Sequence, residues 1–332
     1  MKPARRAAAG FRAPYGMAHA HVQSLLAGWP LRAGIVRRGA RGLIAASRPE
    51  IVDCGGSVRL LGYRSAPAAP SRGLAIMLHG WEGSADAPYV LSVGSRLFER
   101  GYEVFRLNFR DHGETHALNE ELFHSCRIDE VVGAVRAVAE RTGARRTFLI
   151  GYSLGGNFAL RVAARAPAAG IRLDRVIAVC PVLSPHSTMR ALEEGLWIYR
   201  EHFLRRWRRS LLAKAAAFPH LYAFGDLRRF GTLTATTDFF VRQYTDFPDL
   251  DAYLAGYAIT GAALANLSVP ARLIAAADDP VIPIRDLDDV AVTPSLDVTV
   301  LPQGGHCAFL ESYRLRSWLD GEVARDVEAA TG

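Results

Sequence analysis

A chain of 332 residues is long enough for one large domain or two small ones, and its half-hydrophobic, 22% charged make-up suits a globular protein with a full core. No apolar run approaches the ~20 residues that span a bilayer, and the basic amino terminus lacks the continuous apolar stretch of a secretory signal. The formal net charge is +7, with almost all of the basic charge carried by arginine, and Cys54, Cys126, Cys180 and Cys307 are widely spaced with no CxxC pair. That pattern argues for reduced thiols in a cytoplasm and against a disulfide frame or a zinc site.

Residues 1–50 are rich in Arg, Ala and Gly and only weakly periodic, so they read as an extension wrapping a core. "VRLLGYR" (58–64) has strand character, and "GLAIMLHG" (73–80) is a short continuous apolar run. A helical spacing with a glycine stop follows over 89–101, then an alternating strand over 103–110 and a helix over 127–143. "TFLIGY" (147–152) and "RVIAVCP" (175–181) are further strands, with a helix starting at Leu154 between them. Strands separated by helices of this length imply a mostly parallel sheet with crossover helices.

Residues 184–265 break that rhythm: they are helical, aromatic and basic, with no convincing parallel strand. Strands return at 271–280 and 296–306, and a helical tail closes the chain. The expectation is an α/β core of about eight strands formed by 51–183 and 266–332. The insertion 184–265 caps the carboxyl edge of the sheet, where ligands bind in open α/β folds. Its densest stretch, Arg200 to Phe218, reads either as a basic amphipathic helix for anionic lipid or as a solvated face. In the second reading Phe203, Leu204, Trp207, Leu211 and Leu212 pack inward. No nucleic-acid motif accompanies the charge.

Chemistry concentrates at Gly151-Tyr152-Ser153-Leu154-Gly155. A G-x-S-x-G run between strand and helix is the signature of a nucleophile held on a strained turn. A serine hydroxyl needs a base, and His306, after "LPQGG" and a strand near the end of the chain, sits where the order serine, acid, histidine requires it. Asp279, before Pro280 at the preceding strand end, is the favoured orienting acid, with Asp278 as the alternative. Two backbone N–H groups, of Leu154 and of Trp81 after "LHG", would serve as an oxyanion hole.

With these residues in place, the chain resembles the α/β-hydrolase superfamily and, within it, the YheT-like hydrolase family 4. The likeness rests on "HVQSLL" (21–26), "LHGWEGSADAPYV" (78–90), "GYEVFRLNFRDHGE" (101–114), "GYSLGGNFAL" and "GGHCAFLE" (304–311). It implies an α/β-hydrolase fold with nucleophile Ser153, acid Asp279 and base His306. Where that group often has NFRGCSGE, this chain has "NFRDHGETH", which sets His112 and His116 on a loop at the site, to touch substrate or to cap a turn. The expected reaction is hydrolysis of a small-molecule carboxylic ester without metal or organic cofactor. Trp197, Tyr199, Phe203, Trp207, Phe218, Phe239 and Phe240 hint at an apolar acyl or alcohol group, and the basic stretch leaves peripheral lipid contact open. An acyltransferase using the same triad and a non-catalytic binding protein are the alternatives.

Overall fold

The computed structural model describes Arg5–Arg6 and residues 10–331. What was expected of residues 1–4 and 7–9 in the extension lies outside the described residues. The chain opens with β1 (Arg5–Arg6) and three helices, α1 (Ala20–Ala27), α2 (Pro30–Gly39) and α3 (Arg41–Ala45). The hairpin β2 (Ser47–Asp53) and β3 (Arg59–Ser65) follows, so the sheet begins before residue 51. Next come β4 (Leu74–Leu78), α4 (Pro88–Glu99), β5 (Glu103–Leu107), α5 (Ile128–Thr142), β6 (Thr147–Tyr152), α6 (Leu154–Arg165) and β7 (Arg175–Val179). Between β7 and β8 (Ala271–Ala276) lie α7 (Pro185–Glu194), α8 (Trp197–Ala217), α9 (Leu233–Tyr244) and α10 (Leu250–Ala255). The chain ends with β9 (Leu296–Leu301) and α11 (Leu319–Ala329).

The strands form one sheet in the order β1-β9-β8-β7-β6-β4-β5-β3-β2. Every pair from β1 to β5 is parallel, while β3 and β2 run antiparallel at the far edge. Eight strands match the expectation, and the two-residue β1 extends the sheet by one more. The central strands β4 and β6 are buried along their whole length. Parallel strands covered on both faces must be apolar throughout, which is why "LAIML" and "TFLIGY" carry no polar alternation. Helices α4 and α11 cover one face, packing with Leu43 of α3; α5 and α6 cover the other through Val131, Val135, Phe158 and Val162.

The long helix α8 buries Leu204 and Leu211 and half-buries Phe203 and Trp207. Leu212 departs from the expected inward set and is 58% exposed. Among the described residues, no helix is long and apolar enough to cross a membrane.

Candidate active site

Backbone strain gathers at the carboxyl ends of the parallel strands. Glu82 follows β4, Asp111 follows β5, Ser153 follows β6, Cys180 follows β7, and Cys307 follows β9, all with positive φ. A non-glycine residue in that region carries strain that the surrounding structure must hold, and such residues collect at functional sites. Ser153 has φ 52° and ψ −120° as the residue that caps α6. Its N–H donates to Val179 O at 2.9 Å, and its carbonyl accepts from Asn157 N at 3.0 Å. The strained turn is therefore pinned on both sides.

Glycine is required where β4, β6 and α6 meet. A Cβ on Gly155 would lie 2.4 Å from His79 O and 2.5 Å from Leu78 O; one on Gly151 would lie 2.1 Å from Gly155 O. The flanking glycines of the serine thus let the start of α6 close onto the ends of both strands.

The structure brings Ser153, His306 and Asp279 into one line. His306 Nε2 lies 3.0 Å from Ser153 Oγ, and His306 Nδ1 lies 2.9 and 3.1 Å from the two Asp279 oxygens. Asp279 Oδ1 also accepts from Val281 N at 2.8 Å and Ile282 N at 3.0 Å, which fixes the carboxylate. Burial is the largest single influence and works against the His306 imidazolium, but the charge and hydrogen bond of Asp279 together with those of Cys307 outweigh it and raise the ring well above its usual pKa. Asp278 has a different partner: its Oδ1 accepts from Gly305 N at 2.9 Å and anchors the histidine loop.

The segment after β4 lies against the serine; a Cβ on Gly80 would sit 3.2 Å from Ser153 Cβ. Its amides are nearly all spent. Gly80 N donates to Tyr89 Oη at 2.9 Å, Glu82 N to His112 Nε2 at 3.1 Å, and Gly83 N to Gly80 O at 2.9 Å. Among the described residues, the Trp81 amide has no hydrogen-bond acceptor, and neither has that of Leu154 at the first position of α6.

Two buried histidines shape this segment. His79 Nε2 accepts from Phe109 N at 3.2 Å, so Nδ1 carries the proton donated to Gly80 O at 2.7 Å. His112 repeats the pattern, donating from Nδ1 to Arg110 O at 2.7 Å. Burial pushes His79 well below its usual pKa and His112 down to about 4, so both rings are neutral struts near pH 7. Sequence leaves His112 either to touch substrate or to cap a turn; its ring is buried and both nitrogens are engaged by backbone. His116 bonds Ser210 Oγ of α8 at 2.8 Å. Among the described residues, neither histidine lines the cavity over Ser153.

That cavity, of about 570 Å³, is lined by Trp81, Tyr89, Ile198, Tyr199, Phe203 and Arg206 around Ser153 and His306. The Trp81 ring stacks on Phe203 with centroids 5.2 Å apart and meets Trp207 edge-on at 5.4 Å. The indole, to which sequence assigned no role, joins the segment beside the serine to α8.

Sequence reasoning missed the support from α1. Ser24 Oγ accepts from His306 N at 2.8 Å. Gln23 is fully buried; its Nε2 donates to Met17 O at 2.8 Å and Leu310 O at 3.2 Å, and its Oε1 accepts from Leu310 N at 2.7 Å. The sequence signal is "HVQSLL" (21–26), whose Gln23 and Ser24 make these contacts.

A strained serine between strand and helix, hydrogen-bonded to a histidine that an aspartate orients, has the layout of a serine hydrolase on a doubly covered α/β sheet. The family model for the alpha/beta hydrolase fold matches residues 75–313, and the chain belongs to that family. Over 329 residues it is 24% identical to the Escherichia coli (strain K12) protein named "Putative esterase YheT", covering 93% of this chain and 90% of that one. Its fold is similar to that of the Pyrococcus furiosus esterase Pf2001, at TM-score 0.57 and 15% identity, covering 86% of this chain and 91% of that one. It is also similar to the carboxylesterase CesB from Bacillus subtilis, at TM-score 0.52 and 14% identity, covering 90% of this chain and 97% of that one.

Proposed function

We propose that this chain is a serine hydrolase that cleaves a carboxylic ester through an acyl-enzyme. The observation that carries the reading is the unbroken line from Ser153 Oγ through His306 to the Asp279 carboxylate. Ser153 Oγ attacks the carbonyl carbon while His306 Nε2 takes its proton. Asp279 holds Nδ1–H and stabilises the imidazolium. The unspent amides of Trp81 and Leu154 receive the developing oxyanion. His306 then protonates the leaving alcohol, deprotonates an incoming water, and returns its proton to Ser153 as the acid departs.

In this reading 51–183 and 266–332 form the catalytic core, 184–265 is a cap over the strand ends, and 1–50 braces the histidine loop. Ile198, Tyr199 and Phe203 of α8 border the cavity, which favours an apolar acyl group. Relatives and fold neighbours named as esterases support the same class of substrate.

The test is turnover of p-nitrophenyl esters from acetyl to palmitoyl, wild type beside Ser153→Ala. The variant is expected to lose at least about 10⁴-fold in kcat, and a fluorophosphonate should label Ser153 in the wild type alone. Absence of both turnover and labelling in the wild type removes the esterase reading.

A further inference from the structure

Two thiols behind the Ser153–His306 pair have no part in the proposed reaction. Cys180 caps the end of β7 and Cys307 follows His306; both are buried and both have positive φ. They are 127 residues apart in the chain, so their spacing gives no hint that they meet. In the fold, the two Sγ atoms and a ring nitrogen of His306 all lie within 4.8 Å of one another. Cys307 Sγ is 4.0 Å from His306 Nε2.

We propose that Cys180, Cys307 and His306 Nε2 bind a thiophilic divalent cation of the Zn²⁺ or Cd²⁺ kind, and that the bound ion halts turnover by occupying the base. Zinc–sulfur bonds of about 2.3 Å and zinc–nitrogen bonds of about 2.0 Å place neighbouring tetrahedral ligands roughly 3.3–3.8 Å apart. The three atoms, within 4.8 Å of one another, need to close by at most about 1 Å to reach that spacing. The outer support is already built: Asp279 accepts the Nδ1–H of His306 at 2.9 Å, the arrangement that fixes the tautomer of a metal-bound histidine. Ser153 Oγ, 3.0 Å from the same Nε2, or a water in the cavity supplies the fourth position.

The exchange costs the hydrogen bond between His306 Nε2 and Ser153 Oγ. The thiols' backbone contacts are weak, Cys307 Sγ to Val179 O at 3.7 Å and Cys180 Sγ to Gly305 O at 4.0 Å, and their remaining contacts are with each other and with His306 Nε2, the atoms that would share the ion. On binding, each thiol and, where the ring is protonated, His306 Nε2 release their protons to solvent; two thiolates with a dication and a neutral imidazole form a neutral set, which avoids leaving an uncompensated charge in a buried place. Cys307 and His306 line the cavity over Ser153, so the ion enters by the substrate's route. Two sulfurs and an imidazole select against Mg²⁺ and Ca²⁺, which prefer oxygen. Binding stands on this geometry alone; the effect on turnover rests on the hydrolase reading.

The experiment titrates reduced, EDTA-stripped wild-type protein with Cd²⁺, following ultraviolet thiolate-to-cadmium charge-transfer absorption alongside p-nitrophenyl ester turnover. One ion per chain is expected, with absorption rising and turnover falling over the same range, EDTA reversing both, and Mg²⁺ doing neither. Cys307→Ala and Cys180→Ala should each weaken binding by at least about 100-fold, since loss of even an outer partner costs roughly 10–100-fold. Each variant's rate is compared with its own metal-free rate.

Should either variant fail to fold, iodoacetamide labelling of the wild type decides, read by mass spectrometry: Cd²⁺ should protect Cys307. Absence of the absorption band, equal labelling of Cys307 with and without Cd²⁺, or unchanged cadmium inhibition in folded Cys307→Ala each overturns the proposal. A chain that binds Cd²⁺ at these thiols yet never turns over an ester retains the metal site and loses only the hydrolase reading.

Discussion

At the residue, the balance of forces on His306 sets a measurable pH dependence. Burial, the largest single influence, disfavours the imidazolium, but Asp279 and, after it, Cys307 together outweigh burial and raise the ring's pKa well above its usual value. A general base acts in its neutral form, so kcat/KM should rise with pH through an apparent pKa above the ordinary histidine value of about 6.5. Asp279→Asn removes the charge that holds the proton. The acid limb should move to lower pH while kcat falls by about 10⁴-fold, because the amide no longer enforces the required tautomer. A pH–rate profile of both proteins checks the two effects together. An acid limb that stays in place in Asp279→Asn would show that Asp279 does not hold the proton on His306.

At the element, α1 acts as a clamp on the loop that carries His306. Gln23 satisfies two carbonyls and one amide in a place without solvent. Each buried polar group left unpaired costs about 1–3 kcal/mol. Gln23→Ala should therefore lower stability by about 2 kcal/mol or more, read as a reduced urea midpoint; an unchanged midpoint would mean the clamp contributes nothing. This helix also shows where the sequence stops being legible. The central strands declare themselves because both faces are buried and every position must be apolar. The buried side chain of α1 is Gln23, and that of α2 is Arg32, which donates to Leu315 O at 3.2 Å and Ala27 O at 2.9 Å. Helices anchored by polar side chains leave no apolar periodicity to detect. That Ser153, His306 and Asp279 meet was legible through turn chemistry and chain order. The roles of Ser24 and Gln23 depend on contacts 282 and 287 residues away, which no local pattern carries.

Across the whole molecule, one buried ion pair fastens the helices between β7 and β8 to the sheet. Lys214 of α8 is fully buried and donates from Nζ to Asp111 Oδ1 at 2.9 Å, Asn119 O at 2.6 Å and Glu121 O at 3.0 Å. The other Asp111 oxygen accepts from Phe123 N at 2.8 Å. The basic run that suggested a lipid-facing helix thus contains a lysine turned inward onto the loop after β5, beyond what periodicity alone indicated. Charge burial makes the latch sensitive to loss of one partner: breaking a buried pair from one side costs about 3–5 kcal/mol, because the other charge stays behind unpaired. Lys214→Met keeps most of the packing volume and strands the carboxylate, so it should destabilise the chain by that amount. Adding Asp111→Asn, which tolerates the positive φ at this position, removes the stranded charge and should restore part of the loss. Urea denaturation of the two single variants and the double variant measures the coupling. If the double variant is no more stable than Lys214→Met, the lysine acts through its carbonyl contacts alone, and the ion pair does not fasten α8 to the sheet.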